Sequence, residues 1–580
     1  MTLDVLREIV VADFEFISLP GERPRPLCMV AHELRCGRRF RLWQDQFGPT
    51  PPYATGRDVL FIAFVASAEL GCYRALKWPM PERVLDLFVE FRAHTNGLEL
   101  PAGRGLLGAL TYFSLDANGA TEKKELQQAI GSNTWQGRYT KQEILDYCEQ
   151  DVIASTRLLS ALVNKIDWPR ALYRGRYSGA AVSAMEWAGV PIDVEMLEMF
   201  RENWKHIQNQ LIAAIDADYH VYDGTTFKLN LFENWLIANN IPWPRTETGR
   251  LATDDETFRL MAKAYPKVSS LRELRSSVGK MRLFHDLTVG RDGRNRTKLW
   301  AFSARTSRNQ PSSAEYIFGN AVWLRGLIKP PKGWGVAYID WAQQEFAIPA
   351  ALSRDPLMQT AYLSGDAHLA LAKQAGAVPS NATKESHPHI RSLFKQCNLA
   401  IQYMMGERSF ALRIGEPPIV ARDLLSAHRK TFRVFWRWSD AAVDTAMLTG
   451  RLHTVFGWPI HVTEKANPRS IRNFPMQANG AEMMRLAACL ITERGVELCG
   501  PIHDAFLVCS PLETFCENIR ITRAAMGEAS RIVLDGFELR TDVAEVRWPG
   551  RYMDEERGRV MWDRVLQVLT QQLADRKLSA

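Results

Sequence analysis

Cysteine is sparse and poorly placed for either of its usual structural uses. The nine residues, Cys28, Cys36, Cys72, Cys148, Cys397, Cys489, Cys499, Cys509 and Cys516, are odd in number, scattered and never spaced C-x-x-C. That excludes a zinc ribbon and a disulfide framework. No uncharged apolar run reaches the roughly 18 residues of a membrane span, and Met1 to Asp13 holds no basic segment followed by an apolar one, so neither membrane insertion nor export is expected. Internal repeats and low-complexity tracts are also missing, which argues against a solenoid or a long linker. Neither sign of charge is in large excess: 72 Lys and Arg against 65 Asp and Glu leave a net +7. That balance suits a polyanionic partner but not a histone-like tail. The expectation is a reduced, intracellular protein of the cytoplasm.

What the chain does have is material for buried cores. Its 580 residues are 46% hydrophobic and 24% charged, and at about 150 residues per domain the length suggests roughly four domains or subdomains. Up to about Ile166, strand-like and helical patterns alternate: an opening strand over 7–19, an apolar run over 59–65 and an amphipathic helix over 141–163 predict an α/β unit. From Asp167 to about Gly290 the pattern is mostly helical, broken by turn signals such as Asp223-Gly224 and Pro242-Trp243-Pro244. Basic residues then crowd at Arg272, Arg275, Lys280, Arg282, Arg291, Arg294, Arg296, Lys298, Arg305 and Arg308, with Trp300 and Phe302 among them. Taken alone, that run reads equally as a groove for a phosphate backbone or as a solvated charged face.

Two acidic constellations follow. Asp340 ends the apolar run 336–339, and His503-Asp504 precedes the apolar run 506–508. Two such strands side by side would bring the carboxylates together, as needed to hold two hard cations for phosphoryl transfer. Each aspartate alone would pass for an ordinary turn or cap residue. Between them Arg391, Lys395, Leu399 and Tyr403 fall four apart, so a helix carries them as one stripe of two cations, an aliphatic platform and a phenol. Pro388 and Gly406 punctuate that helix. In the N-terminal part, Asp13 and Glu15 follow the apolar Ile9-Val10-Val11, and Tyr147 and Asp151 share a face of the 141–163 helix.

These residues resemble the family A DNA polymerases. Asp340-Trp-Ala-Gln-Gln-Glu345 is similar to motif A (D-Y-S-Q-x-E), Arg391 to Tyr403 to motif B, and His503-Asp504-Ala505 to motif C (H-D-E). Thr306-Ser307-Arg308 resembles the T-G-R segment ahead of the palm, and Arg469, Asn473 and Gln477 resemble an R-x3-N-x3-Q helix. The resemblance implies that Asp340 and Asp504 bind two Mg2+ ions, for which Mn2+ can substitute. Arg391 and Lys395 would grip the triphosphate, and Tyr403 and Leu399 would lie near the base. Glu345 would close the space at the sugar C2′. Arg308, Arg469, Asn473, Gln477 and His503 would contact DNA. Asp13-Phe-Glu15 and Tyr147 to Asp151 resemble motifs I and III of the DEDDy 3′→5′ exonucleases. Their implied metal ligands are Asp13, Glu15, Glu69 and Asp151, with Tyr147 positioning the attacking water. Glu69 is assigned the middle acid, with Asp86 as the alternative.

The implied fold class is multidomain α/β. An RNase H-like exonuclease domain (1–166) precedes a helical connector and thumb (167–298). A first part of the palm (299–360), fingers (361–455) and a second part of the palm (456–580) with an antiparallel sheet follow. Primer–template DNA and dNTPs are the expected partners, the protein is expected to be a monomer, and no membrane is involved. With exonuclease motif I beginning at Asp13, the 5′ nuclease domain of cellular relatives is expected to be missing. That plan is common in phage replication enzymes, which act in the bacterial host cytoplasm. One phage subgroup copies DNA containing 2-aminoadenine, a specialisation that the spacing neither identifies nor excludes. The chain departs from the family at Leu399 (usually Phe or Tyr), Met404 and Ser307 (both Gly), Ala505 (Glu) and Glu69 (Asp). His387-Pro-His389 is read as a loop before the finger helix, not a metal site. Two other readings stay open: a nuclease whose second half only clamps DNA, and a non-catalytic DNA-binding protein.

Overall fold

Along Glu8–Ile17 (β1) the side chains alternate between two separate cores. Val10, Ala12 and Phe14 pack with Tyr73 and Trp78 on one face. Ile9 and Val11 pack on the other with Ile144, Cys148 and Val152. The same period of two sends Asp13 and Glu15 to the second face. β1 runs antiparallel to Arg25–Glu33 (β2), which pairs with Arg39–Trp43 (β3), and parallel to Val59–Ala63 (β4), which pairs with Val84–Asp86 (β5). The sheet order is therefore β3-β2-β1-β4-β5. Ala66–Leu76 (α1) and Leu87–Thr95 (α2) follow the parallel strands, and Lys141–Leu162 (α3) covers β1 and β2. A capping box starts α3, with the Thr140 side chain and Glu143 serving each other's backbone N–H. This computed structural model describes residues 5–116, 123–246, 248–281, 286–402, 405–463 and 466–579.

A long helix, Val194–Asp216 (α4), opens the region beyond, and a small satellite core of Phe232, Leu236, Phe258 and Leu271 holds the helices after it. The second sheet is antiparallel. Trp334–Trp341 (β6) pairs with Ala505–Pro511 (β8) and Thr541–Arg547 (β9), and Leu498–Ile502 (β7) pairs with β8. Both functional strands are longer than their apolar runs because pairing continues past the hydrophobic residues to Trp334 and Pro511. Gln344–Ser353 (α5) and Pro388–Gln402 (α6), which pack on other helices, share one continuous core with this sheet, and Pro468–Glu493 (α7) and Leu512–Val533 (α8) lie against it. Among the described residues no helix is long and apolar enough to cross a membrane.

The basic run does not act as one surface. Arg296 is buried, pairing with Asp292 (2.5 Å) and donating to the Trp187 carbonyl (2.8 Å). Arg294 points at Cys499 and the Gly189 carbonyl. Arg275 lies flat over Phe227 and Phe258, 4.0 and 4.3 Å from their centroids. These guanidiniums are internal anchors, so neither sequence reading of the run as a whole holds. Arg291 and Arg305 remain exposed, while Arg282 and the Lys280 side chain lie outside the described residues.

Candidate active site

β7 and β8 form a hairpin whose turn is His503-Asp504, with His503 in the left-handed region at φ 46°. The turn sets Asp504 beside the end of β6: Asp340 stands opposite Ala505, and the Trp341 N–H donates to the Asp504 carbonyl (3.2 Å). Both aspartates are half-buried. Burial, then the charge of Asp340, pushes Asp504 up to about 6; burial, then Asp542, pushes Asp340 up to about 6. Asp542 sits on β9 directly opposite Asp340, and on the other neighbouring strand, β8, Ala505 stands opposite it, where motif C of the family has Glu. No motif marks Asp542, so sequence reading missed it. Glu345 is exposed in the first turn of α5, and its charge reaches Asp504.

On α6, Phe394, Cys397 and Ile401 bury one face, which leaves Arg391, Lys395 and Leu399 toward the surface. Arg391 pairs with Asp366, which also caps Ala367–Gln374 through the Leu369 N–H (3.1 Å). Buried Asn398 contacts His368 (2.9 Å) on that same helix. Neither partner was visible in the sequence, because nothing there relates the two helices. Tyr403 and Met404 lie outside the described residues. On α7, Arg469 is exposed and Asn473 and Gln477 are half-buried along one face. Deeper in α7, Arg485 pairs with Glu482 (2.7 Å) and donates to the Ser307 carbonyl (2.8 Å), holding Ser307 at φ 60°. Arg308, Arg485 and His503 share a cavity of about 400 Å³.

At the first sheet, ligand atoms of Asp13, Glu15 and Asp151 lie within 4.8 Å of one another. Opposite Glu15 and Phe16 the pairing skips Leu27, which bulges out of β2. The Cys148 thiol donates to the Asp13 carbonyl (3.2 Å), fixing α3 against β1. Glu69, on α1, accepts from the Phe14 N–H (2.7 Å). Burial and then the charge of Asp13 raise both Glu15 and Glu69 well above the usual carboxylate range. Tyr147, bonded to Asp151, is raised by burial and then by Glu15. These groups line a cleft of about 780 Å³.

Asp86 is elsewhere employed. Fully buried, it caps α2 through the N–H groups of Phe88 (3.1 Å) and Val89 (3.4 Å) and also accepts from Val65 (3.2 Å) and Ala66 (3.1 Å). Asp86→Ala should therefore destabilise the N-terminal unit by about 2–3 kcal/mol, since it removes a cap and strands buried donors. Chemical denaturation read on that unit checks this, and a change under about 0.5 kcal/mol would contradict the capping role.

An antiparallel sheet bearing two adjacent aspartates, flanked by a cationic helix and joined to a separate α/β unit, has the architecture of a nucleic-acid polymerase. The sequence profile described as DNA polymerase family A matches residues 194–544. The chain belongs to DNA polymerase family A. It is 26% identical over 389 residues to DNA polymerase I of Aquifex aeolicus, covering 63% of this chain and 65% of that protein. Against DNA polymerase I of Deinococcus radiodurans the match covers 38% of the relative's length. With the DNA polymerase of Mycobacterium phage D29 it is 24% identical over 429 residues, 71% of this chain and 68% of the phage protein. The fold is similar to the POL domain of Pol1 from M. smegmatis, solved with DNA primer-template and dNTP. The TM-score is 0.70 at 16% identity, covering 93% of this chain and 95% of that one.

Proposed function

We propose that the chain extends a DNA primer by template-directed addition of dNTPs at Asp340 and Asp504, and trims primer 3′ ends at Asp13, Glu15, Glu69 and Asp151. The pairing of β6 with β8, which seats Asp504 beside Asp340 within the segment matched to the family, carries the first reading. The close approach of Asp13, Glu15 and Asp151, on a sheet of order 3-2-1-4-5 that suits an RNase H-like domain, supports the second. Similarity to polymerases of the mycobacteriophages D29 and L5 supports a role in phage genome replication.

Both donor sets are carboxylates, hard oxygen ligands that suit Mg2+ and tolerate Mn2+. Asp340 and Asp504 would hold the ions at the palm. Asp13, Glu15, Glu69 and Asp151 would hold them at the nuclease cleft. Bound there, the ions supply charge neutralisation and activation of the attacking oxygen. The chain's own groups do the rest. Arg391, oriented by Asp366, and Lys395 bind the triphosphate as a fork and a point charge. Leu399 gives the base an aliphatic contact. Arg308, Asn473 and Gln477 donate to minor-groove acceptors common to correct pairs. Arg469 binds the template strand and His503 lies at the primer terminus.

The test is extension of a primed template by the purified chain with dATP, its 2-amino analogue or rNTPs, with and without magnesium. Magnesium-dependent extension with dNTPs is expected. Shortening without extension would favour a nuclease with a DNA clamp, and no turnover at all a non-catalytic binding protein. Glu345→Ala should reduce the preference for dNTP over NTP by about 100-fold, roughly 2.7 kcal/mol of lost sugar clash. Unchanged selectivity in competitive incorporation would remove Glu345 as the sugar gate.

A further inference from the structure

Residues 298–308 form a strap that borders both candidate sites. Lys298, Trp300 and Ser303 line the cleft of Asp13, Glu15 and Asp151, and Ser307 and Arg308 line the cavity of His503. Each half of the molecule pins the strap. The Leu299 N–H donates to half-buried Glu186 (2.7 Å), and Arg92 on α2 donates to the Ser303 carbonyl (2.6 Å). Asn96 and Trp458 both donate to the Arg305 carbonyl (2.7 and 3.3 Å).

On this fixed backbone Trp300 sits at φ 47°, a conformation that bulky side chains rarely adopt, and it leaves 40% of its surface exposed. Its ring meets Phe88 at 6.3 Å and a 58° tilt, so that contact is not a stack. The Lys298 ammonium lies 5.5 Å from the Trp300 ring centroid and 5.8 Å from that of Phe16, next to Glu15. A cleft floored by carboxylates repels a phosphate chain, so a strand entering it needs a local cation and a hold that is not electrostatic. A part-exposed indole with a lysine over its ring offers both.

We propose that Trp300 is the stacking platform for the 3′-terminal base of a single-stranded DNA end in this cleft, with Lys298 facing the adjoining phosphate. The proposal deepens the exonuclease reading and rests on it for the direction of the strand. It assigns the polymerase half a binding residue in the nuclease site, so a frayed primer end would move along one rigid strap.

The test is equilibrium binding of the full-length chain, in EDTA, to a short oligothymidylate carrying 2-aminopurine at its 3′ terminus. A second probe carries the fluorophore at its 5′ terminus. Trp300→Ala and Trp300→Leu should weaken binding of the 3′ probe by about 5- to 100-fold, and Trp300→Phe should restore most of it. Leucine keeps the apolar contact with Phe88 but lacks a stacking face, so a purely structural role predicts that Leu rescues. Lys298→Gln should flatten the salt dependence. Binding within twofold of wild type for the Leu and Ala variants overturns the proposal, as does an equal fluorescence change from the 5′ probe. If wild type fails to shorten primers in magnesium, the nuclease reading falls, while this titration still decides Trp300.

Discussion

Asp504→Ala should reduce primer extension by roughly a thousandfold or more, about 4 kcal/mol of transition-state stabilisation, with DNA binding retained. Asp504 sits at the tip of a tight hairpin fixed by the β7–β8 register and by the Trp341 N–H, so the hairpin positions the carboxylate without depending on it for its own fold. Single-turnover extension together with a mobility-shift assay separates chemistry from binding, and near wild-type extension would sink the assignment. Asp504→Asn sharpens the test. Burial and Asp340 raise the Asp504 carboxyl to about 6 in the folded chain, against about 3.9 for an unperturbed Asp. The folded state therefore binds this proton more tightly than the unfolded state does. Stability is full below the unfolded value and is lost as pH rises through about 6. At pH 7.5 the ionised carboxylate thus costs at most roughly 3 kcal/mol, and Asn should raise the melting midpoint while extension collapses. Wild-type extension should likewise fall as pH drops through about 6, because protonation removes the charge the site needs.

The parts of this molecule legible in the sequence are those set by short-range periodicity. Alternation along β1 puts Asp13 and Glu15 on the face that α3 covers, and spacing by four puts Tyr147 with Asp151 and Arg391 with Lys395. The illegible parts depend on which elements meet. Nothing in the spacing says that Asp366 holds Arg391, or that Asp542 crosses from Asp340. Asp86 is a free-looking acid until its four backbone donors are in place. The arginines at 275, 294 and 296 read equally as a phosphate groove or a solvated face because composition cannot tell a solvated guanidinium from one lying on rings or buried against carbonyls. Trp300 reaches the first sheet from almost three hundred residues along the chain, a contact with no periodic signature.

Asp13→Ala combined with Glu15→Ala should abolish primer shortening in the absence of dNTPs, again by about three orders of magnitude. The two carboxylates alternate with Phe14 on one strand and meet Asp151 across the sheet face, so both are lost from one cluster with the Phe14 core left intact. Burial, and then the neighbouring charge of Asp13, holds Glu15 well above its ordinary range, so the free cluster resists full ionisation and favours a compensating cation. Removing two of its members relieves that strain, and the double variant should be at least as stable as wild type. This opposite sign from Asp86→Ala separates a binding cluster from a structural cap. Shortening of a mismatched primer with magnesium, read beside thermal melting, distinguishes the outcomes. Persistent shortening would place the nuclease elsewhere, whereas loss of shortening with a lowered midpoint would mean that the acids hold the fold and the variant has unfolded the site.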